Sequence, residues 1–274
     1  MMRRIEAAKI TQAVRRLVKR ASFFLRSDVL SALRNSYITE KNRRAKKILK
    51  AILDNAAYAR KQKLAICQDT GLPVVFIQIG QDVVVRGDLK AAINKGVEQG
   101  YKGYYLRNSI VSDPLKRGKS KFSPCIMHMD IVRGDKIKLI LLPKGFGCEN
   151  KSQLKMFKPT ASIEEIKEFI VNVVRDAGPD ACPPHVIGVG IGGTADYSGI
   201  MAKKALLRKI SSKNSKLEND LLRQINKTGI GPMGLGGINT ALAVHLQTHP
   251  THIAGLPVSV NISCHALRSA SVTL

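Results

Sequence analysis

Apolar residues recur at a helical period through the first sixty positions. Ile10, Val14 and Leu17 fall at i, i+4 and i+7, with Arg15, Arg16, Lys19 and Arg20 turned the other way. Ser27 and Asp28 can cap a second, shorter helix carrying Val29, Leu30 and Leu33. Residues 40–60 read as a third helix, with Ala45, Ile48, Leu49, Ile52 and Leu53 along one side. Past Cys67 the period changes. Pro73 to Ile79 is an apolar, β-branched run, Asp82 to Arg86 is another, and a helix is expected from Asp88. Cys125–Val132 and Lys136–Leu142 flank Arg133-Gly134-Asp135, which signals a hairpin. Ser162 is placed to cap a helix through about Ala177, and His185 to Val189 reads as a short strand. Helices are expected from about Asp196 and Leu217. The glycine-rich run Gly229–Gly237 is expected to lead into a helix through about Leu246, and Leu256 to Ile262 reads as a last strand.

These elements predict an α+β fold. A helical N-terminal region, 1–62, is expected to pack on a mixed sheet-containing α/β body, 63–274, within one domain spanning 1–274. No internal repeat or low-complexity linker interrupts the chain, and 274 residues can bury a sizeable core.

Charge changes the picture more than composition does. The chain carries 45 basic and 20 acidic residues, a net charge of +25. A nucleic-acid binder, an anion-handling enzyme or a subunit with an acidic partner would each show such an excess. Much of it is lysine on expected helix faces, as at Lys41, Lys46, Lys47 and Lys50, which reads as solvated surface. Tryptophan is absent and other aromatics are few, so stacking platforms for single-stranded nucleic acid are not expected.

Five cysteines, an odd number, do not suggest a disulfide framework and point to a reducing compartment. No run approaches the roughly 18 apolar residues of a membrane span. The first 26 residues are Arg-rich with Glu6 their only acid, as in a transit peptide. The pattern runs on into further helices without a cleavage-like break, so a structural helix and a cytoplasmic protein are expected.

The candidate chemistry centres on Cys67-Gln68-Asp69-Thr70-Gly71, where a thiol precedes a carboxylate by two positions in a polar turn. Cys182 stands before Pro183-Pro184, and Cys264 ends a strand and is followed by His265. All three lie where loops meet regular elements, as ligands usually do. With no C-x-x-C pair, a zinc ribbon or ferredoxin-type cluster is excluded. Single cysteines are most often small buried hydrophobes, which is the expectation for Cys125; Cys148 lies in a glycine-rich turn that can be near a site. Three thiolates on a cubane cluster would leave one iron open as a Lewis acid. Such chemistry also needs a base for a carbon-bound proton and cations for a second carboxylate. Asp69 suits the first role, though a turn aspartate satisfying its own backbone looks the same in sequence. Arg107 suits the second as a bidentate clamp, although an isolated arginine is usually surface. His252 can hydrogen-bond substrate or relay a proton; lone histidines are more often structural.

Three glycine loops compete for attention. Gly188, Gly190 and Gly193 satisfy the dinucleotide pattern G-x-G-x-x-G, but the basic, helical sequence that follows lacks the second strand and acidic residue. Close backbone packing is the better reading. Lys144–Asn150 and Gly231–Gly237 can each expose amides to an anion, or serve only as rigid loops.

CQDTG, LRNSIVSDPL, KGFGCEN, ACPPHVIGVGIGGTAD, GIGPMGLGG and HIAGLPVSVNISCHALR together resemble the alpha subunit of the two-subunit class I fumarases and L-tartrate dehydratases. The resemblance runs from the N-terminal helices to the last residues. It implies an oxygen-sensitive [4Fe-4S] hydro-lyase that reversibly hydrates fumarate to L-malate. By the resemblance, Cys67, Cys182 and Cys264 bind the cluster, whose fourth iron holds substrate. Gln68, Asp69, Arg107, Gly147 and His252 fall at the family's substrate contacts, with Asp69 and His252 as the catalytic candidates. The family's remaining groups sit in a beta part, so a separate beta subunit, a C4 dicarboxylate substrate and a dimer of alpha–beta pairs are implied.

Two departures stand out. Phe146 and Cys148 occupy a motif where the family commonly has GGGSEN, and a basic stretch at 115–123 replaces an Asn-Thr-rich loop. Both bear on substrate choice, so L-tartrate dehydratase and mesaconate hydratase remain alternatives. From other classes, so do a basic nucleic-acid-binding protein and a non-catalytic cluster-assembly protein.

Overall fold

The computed structural model describes residues 2–210 and 213–274. In chain order, β1 (Arg3–Glu6) leads into three helices, α1 (Ala7–Phe23), α2 (Ser27–Thr39) and α3 (Arg43–Gln62). Then come β2 (Leu72–Gly80), β3 (Val83–Arg86), α4 (Leu89–Gly103), β4 (Ile110–Asp113), β5 (Arg117–Lys121), β6 (Ile126–Val132) and β7 (Ile137–Lys144). The rest is a single turn, α5 (Phe146–Glu149), then β8 (Gln153–Phe157), α6 (Ile163–Ala177), β9 (His185–Gly193), α7 (Ala195–Ala205), α8 (Lys216–Asn226), β10 (Ala241–Thr251), β11 (Leu256–Ser263) and β12 (Ala270–Thr273). The class is α+β, as expected, with mixed sheets and no closed barrel.

Two compact units share the chain. Unit 1 takes Met1–Arg26, Tyr58–Gly145 and Arg268–Leu274; unit 2 takes Ser27–Ala57 and Phe146–Leu267. The first 62 residues are helical after β1, but they do not act as one block. Contacts assign α1 to unit 1 and α2 with most of α3 to unit 2.

Unit 1 is built on a sheet of order β12-β7-β2-β6. Ile10, Val14, Leu17 and Val18 of α1 are buried with Val75 and Ile77 of β2 and Leu139 and Leu141 of β7 in one core. This helix is therefore structural, as its apolar period implied. It meets α4 at two glycines. A Cβ on Gly96 would stand 2.6 Å from the Thr11 carbonyl oxygen, and one on Gly100 2.7 Å from the Val18 Cβ. Asp88 caps α4 by accepting from the Ala91 amide.

The expected hairpin is not formed. β6 and β7 both pair with β2, in parallel and antiparallel fashion respectively, and not with each other. Within this sheet β2 carries the longest buried run, Pro73 to Ile77, and takes an inner position between β7 and β6. The Arg133-Gly134-Asp135 turn wraps its end instead. Asp82 N donates to Gly134 O and Gly80 N to Lys136 O, at 3.0 and 2.8 Å.

Unit 2 is built on a sheet of order β10-β9-β11-β8. Ser162 and Glu165 form a reciprocal capping box at the start of α6, as do Ser215 and Glu218 at α8. The segment expected to be helical through Leu246 is the strand β10, parallel to β9. Ala243, Val244 and His245 are all buried. A parallel strand covered on both faces reads as a continuous apolar run, and periodicity does not separate that from a buried helix. The sequence reading also stopped short of β12. Gly188 and Gly190 lie inside β9 with α7 pressed against them: a Cβ on either would stand 2.0 Å from a carbonyl oxygen, of Ala202 and Ser198 respectively. Backbone packing, not a phosphate-binding turn, is what these glycines serve.

Candidate active site

Unit 1 gathers its candidate residues at one end of its sheet. Cys67 and Gln68 form a bend and Thr70-Gly71 feeds β2. The turn is held from several sides. Asp69 Oδ1 accepts from the Gly71 amide at 2.9 Å, so the carboxylate does close its own turn. Its Oδ2 faces Gly145 at the end of β7, where a Cβ would approach to 3.1 Å. Gly71, at φ +78°, runs against the β7 backbone; a Cβ there would stand 2.7 Å from the Pro143 carbonyl carbon. The Tyr101 hydroxyl, buried at the end of α4, lies 3.1 and 3.0 Å from the carbonyl oxygens of Thr70 and Gly71. Burial raises the Tyr101 phenol well above its usual range, against a lowering by Arg268, so it remains a donor. Buried Thr70 accepts the Arg107 amide through Oγ1 at 3.0 Å, which ties the exposed Arg107 to the same turn.

Arg268 is a residue of this site that is quoted above only within a motif and assigned no role there. It is 3 % exposed, and its Nη2 donates to the Asp69 carbonyl at 2.7 Å. The sequence signal available was a cation within the CHALR motif.

Unit 2 gathers its own candidates at the end of its sheet where β9 and β10 begin and β11 ends. Cys182 is half-buried in the left-handed region at φ 53°. Its carbonyl accepts the His265 amide at 3.3 Å, and the His265 Nδ1 stands 3.1 Å from the same oxygen. That places Cys182 beside the Cys264-His265 pair. Cys148 Sγ donates to the Ala181 carbonyl at 3.3 Å, bringing the GFGCEN turn and Gly147 to the same loop. Glu149 anchors this turn through an ion pair with Lys203 and by accepting from Asn261 Nδ2 at 3.0 Å. His185, fully buried nearby, is pushed down to about 4, chiefly by burial and partly opposed by the Gly178 backbone.

The glycine loop 229–237 is not an open anion cradle. Gly231 N donates to Thr240 Oγ1, Met233 N to Pro183 O, Gly236 N to Ile230 O and Ile238 N to Glu40 Oε2. Most of its amides already have acceptors within unit 2.

His252 stands apart. It is exposed in the turn before β11, with Nδ1 accepting from Ala254 N at 3.1 Å. Cys264 follows the other end of that strand, eight residues long, about 26 Å away by the strand rise. Unit 2 alone therefore does not bring His252 to Cys182 and Cys264.

The five cysteines form no disulfide, and Cys67, Cys182 and Cys264 are each half-buried while Cys125 and Cys148 are buried. Among the described residues, no group of three or more His, Cys, Asp and Glu gathers to hold a metal ion. The donor chemistry nonetheless fits an iron–sulfur cluster. Soft thiols are held at loop positions, two of them adjacent in unit 2 and one beside a carboxylate in unit 1.

Comparison with known proteins fits this architecture. A family model for fumarate hydratase matches residues 11–273. A Methanocaldococcus jannaschii protein, provisionally named L(+)-tartrate dehydratase subunit alpha, is 42% identical, the match covering 96% of each chain. The L(+)-tartrate dehydratase subunit alpha of Escherichia coli K12 is 27% identical over 96% of this chain and 90% of its own. The chain belongs to the fumarate hydratase family of hydro-lyases.

Proposed function

We propose that the chain is the alpha subunit of an iron–sulfur hydro-lyase that reversibly hydrates fumarate to L-malate together with a beta subunit. The observation that carries the reading is the Asp69 turn. A carboxylate two residues from a candidate ligand is fixed by its own Asx bond, by Tyr101 and by Arg268, with Arg107 tied to the next residue.

Cys67, Cys182 and Cys264 would hold a [4Fe-4S] cluster. The chemistry such a cluster would supply is a Lewis-acid iron for the substrate hydroxyl, at a constant redox level. In the dehydration direction, the Asp69 carboxylate accepts the carbon-bound proton of malate. The C–O bond breaks with its electron pair, the hydroxide takes a proton from solvent to become water as Asp69 later gives its own proton back to solvent, and the electron pair left on carbon becomes the double bond of fumarate. Arg107 pairs with the carboxylate on which charge develops, and Gln68 and the Gly147 turn orient the substrate. In hydration Asp69 returns the proton. The proposed mechanism does not use His252.

The cytoplasm is the proposed location. No described helix is long and apolar enough to cross a membrane.

A second reading has its own support, since the relatives compared are named for L(+)-tartrate dehydratase. One experiment separates the two. The chain is reconstituted anaerobically with iron, sulfide and its beta subunit and assayed on malate, fumarate and L(+)-tartrate. Turnover of malate and fumarate supports the first reading, and turnover of tartrate alone replaces it with the second. An EPR signal of the reduced cluster that no C4 dicarboxylate shifts would sink both.

A further inference from the structure

Arg268 is the least explained charge in unit 1. The residue is 3 % exposed, and its side chain ends in a planar guanidinium cation with five N–H donors. Nη2 donates to the Asp69 carbonyl at 2.7 Å, while Nε and Nη1 are buried with no hydrogen-bond partner among the described residues. Burying a cation that is only partly paired is unfavourable, and an apolar side chain of similar volume would serve the core better. An arginine kept here under that penalty must do something an apolar residue cannot. What the structure shows it doing is fixing one carbonyl through a charge-assisted bond. That carbonyl belongs to Asp69, whose Oδ1 closes the turn on Gly71 and whose Oδ2 lies against Gly145.

We propose that Arg268 is a positioning residue for Asp69. It clamps the main chain at the Asp69 carbonyl and so sets the direction from which the carboxylate meets the substrate. Tyr101 holds the two following carbonyls, so the two side chains fix three successive peptide groups of the turn. The inference rests on the reading of Asp69 as the proton-transfer group. It assigns Arg268 no contact with substrate.

The test uses the reconstituted alpha–beta complex with wild type, Arg268→Gln and Arg268→Lys. Misplacing a catalytic group by about 1 Å costs roughly a hundredfold in rate. Arg268→Gln is therefore expected to lower kcat for fumarate about ten- to hundredfold, with KM within about twofold and iron and sulfide per chain unchanged. Arg268→Lys, which keeps a cationic donor, is expected to restore part of kcat. Hydrogen exchange gives a readout independent of turnover: amides of 67–72 should exchange faster in Arg268→Gln, with the rest of unit 1 unchanged. A rise in KM matching the loss of kcat would make Arg268 a substrate contact and overturn the proposal. So would exchange at 67–72 identical to wild type, or loosening spread over all of unit 1. A wild-type complex that turns over no C4 dicarboxylate would fail the hydro-lyase reading instead, and the exchange comparison would still decide whether Arg268 holds the turn.

Discussion

The two units present their candidate residues by opposite means. In unit 1 the Cys67–Gly71 turn is fastened mainly by side chains, with Tyr101, Thr70, Arg268 and Asp69 itself supplying the bonds. In unit 2 the Cys182 loop is fastened largely by backbone, through the His265 amide on Cys182 and the Met233 amide on Pro183. Backbone bonds survive most substitutions, whereas side-chain bonds are lost one residue at a time. Unit 2 is thus the more robust ligand platform, and unit 1 the part whose geometry single substitutions retune. Two of the three proposed ligands, Cys182 and Cys264, stand on the backbone-held support of unit 2, whereas the proposed base Asp69, with Cys67, stands on the side-chain-held turn of unit 1.

The largest effects test that division directly. Cys67→Ser, Cys182→Ser and Cys264→Ser are each expected to remove most of the bound iron and sulfide and to lower hydratase activity at least about a thousandfold, since a Lewis-acid metal supplies several kcal/mol of the barrier reduction. Iron and sulfide are counted per chain after anaerobic reconstitution. Full cluster retention in Cys67→Ser would take Cys67 out of the ligand set and sharpen the comparison, leaving the ligands on unit 2 and the proposed base on unit 1.

Asp69→Asn comes next. The Asn carbonyl oxygen can still accept from the Gly71 amide, so the turn should persist. Loss of a general base costs about a hundred- to ten-thousandfold. The expected result is a kcat loss of that size with the cluster EPR signal intact. Unchanged kcat would move the base elsewhere.

Packing gives a third, smaller contrast. Gly190→Ala would drive a Cβ to 2.0 Å from the Ser198 carbonyl oxygen, an unyielding backbone atom. Gly100→Ala meets the Val18 side chain at 2.7 Å, which can shift. In urea titrations Gly190→Ala is expected to cost about 3 kcal/mol or more and Gly100→Ala about 1–3 kcal/mol. Equal costs would mean that α7 yields as readily as a side chain.

Legibility in the sequence followed the source of each structural decision. Helices α1, α4 and α6 were readable because their apolar period and caps are local. The pairing of β6 with β2 rather than β7 was not, since a hairpin signal says nothing of a third strand with a longer buried run that lies between them. β10 was mistaken for a helix because its burial on both faces erases the two-residue alternation. At the site, Cys67, Asp69, Cys182 and Cys264 were visible as residue types in loop settings. Arg268 was not, because its importance lies in a bond to Asp69, from the far end of the sequence.

Acid and alkali provide the finest test, because each unit buries a different titrating group. In unit 2, burial would raise the Glu218 carboxyl, but the Arg208 guanidinium at 2.7 Å and the amides of Leu246 and Ser215 bring it down to about 2. Its folded value lies below the ordinary glutamate value of 4.5. The stability it contributes is therefore present above about pH 4.5 and lost as pH falls toward 2, up to about 3 kcal/mol. In unit 1, burial pushes the Cys125 thiol up to about 12, from an ordinary value of 9.0. An acid with a raised folded value contributes stability below its unfolded value, and this is lost as pH rises from about 9 toward 12. Hydrogen exchange should accordingly show unit 2 opening first in acid and unit 1 first in alkali. Glu218→Gln should remove the Glu218 share of the acid limb in unit 2, where buried His185 also contributes, and Cys125→Ala the Cys125 share of the alkaline limb in unit 1, where buried Tyr101 also contributes, each leaving the other unit's profile in place. If both limbs shift together in either variant, the units unfold as one cooperative body, and the two kinds of support are not energetically separable.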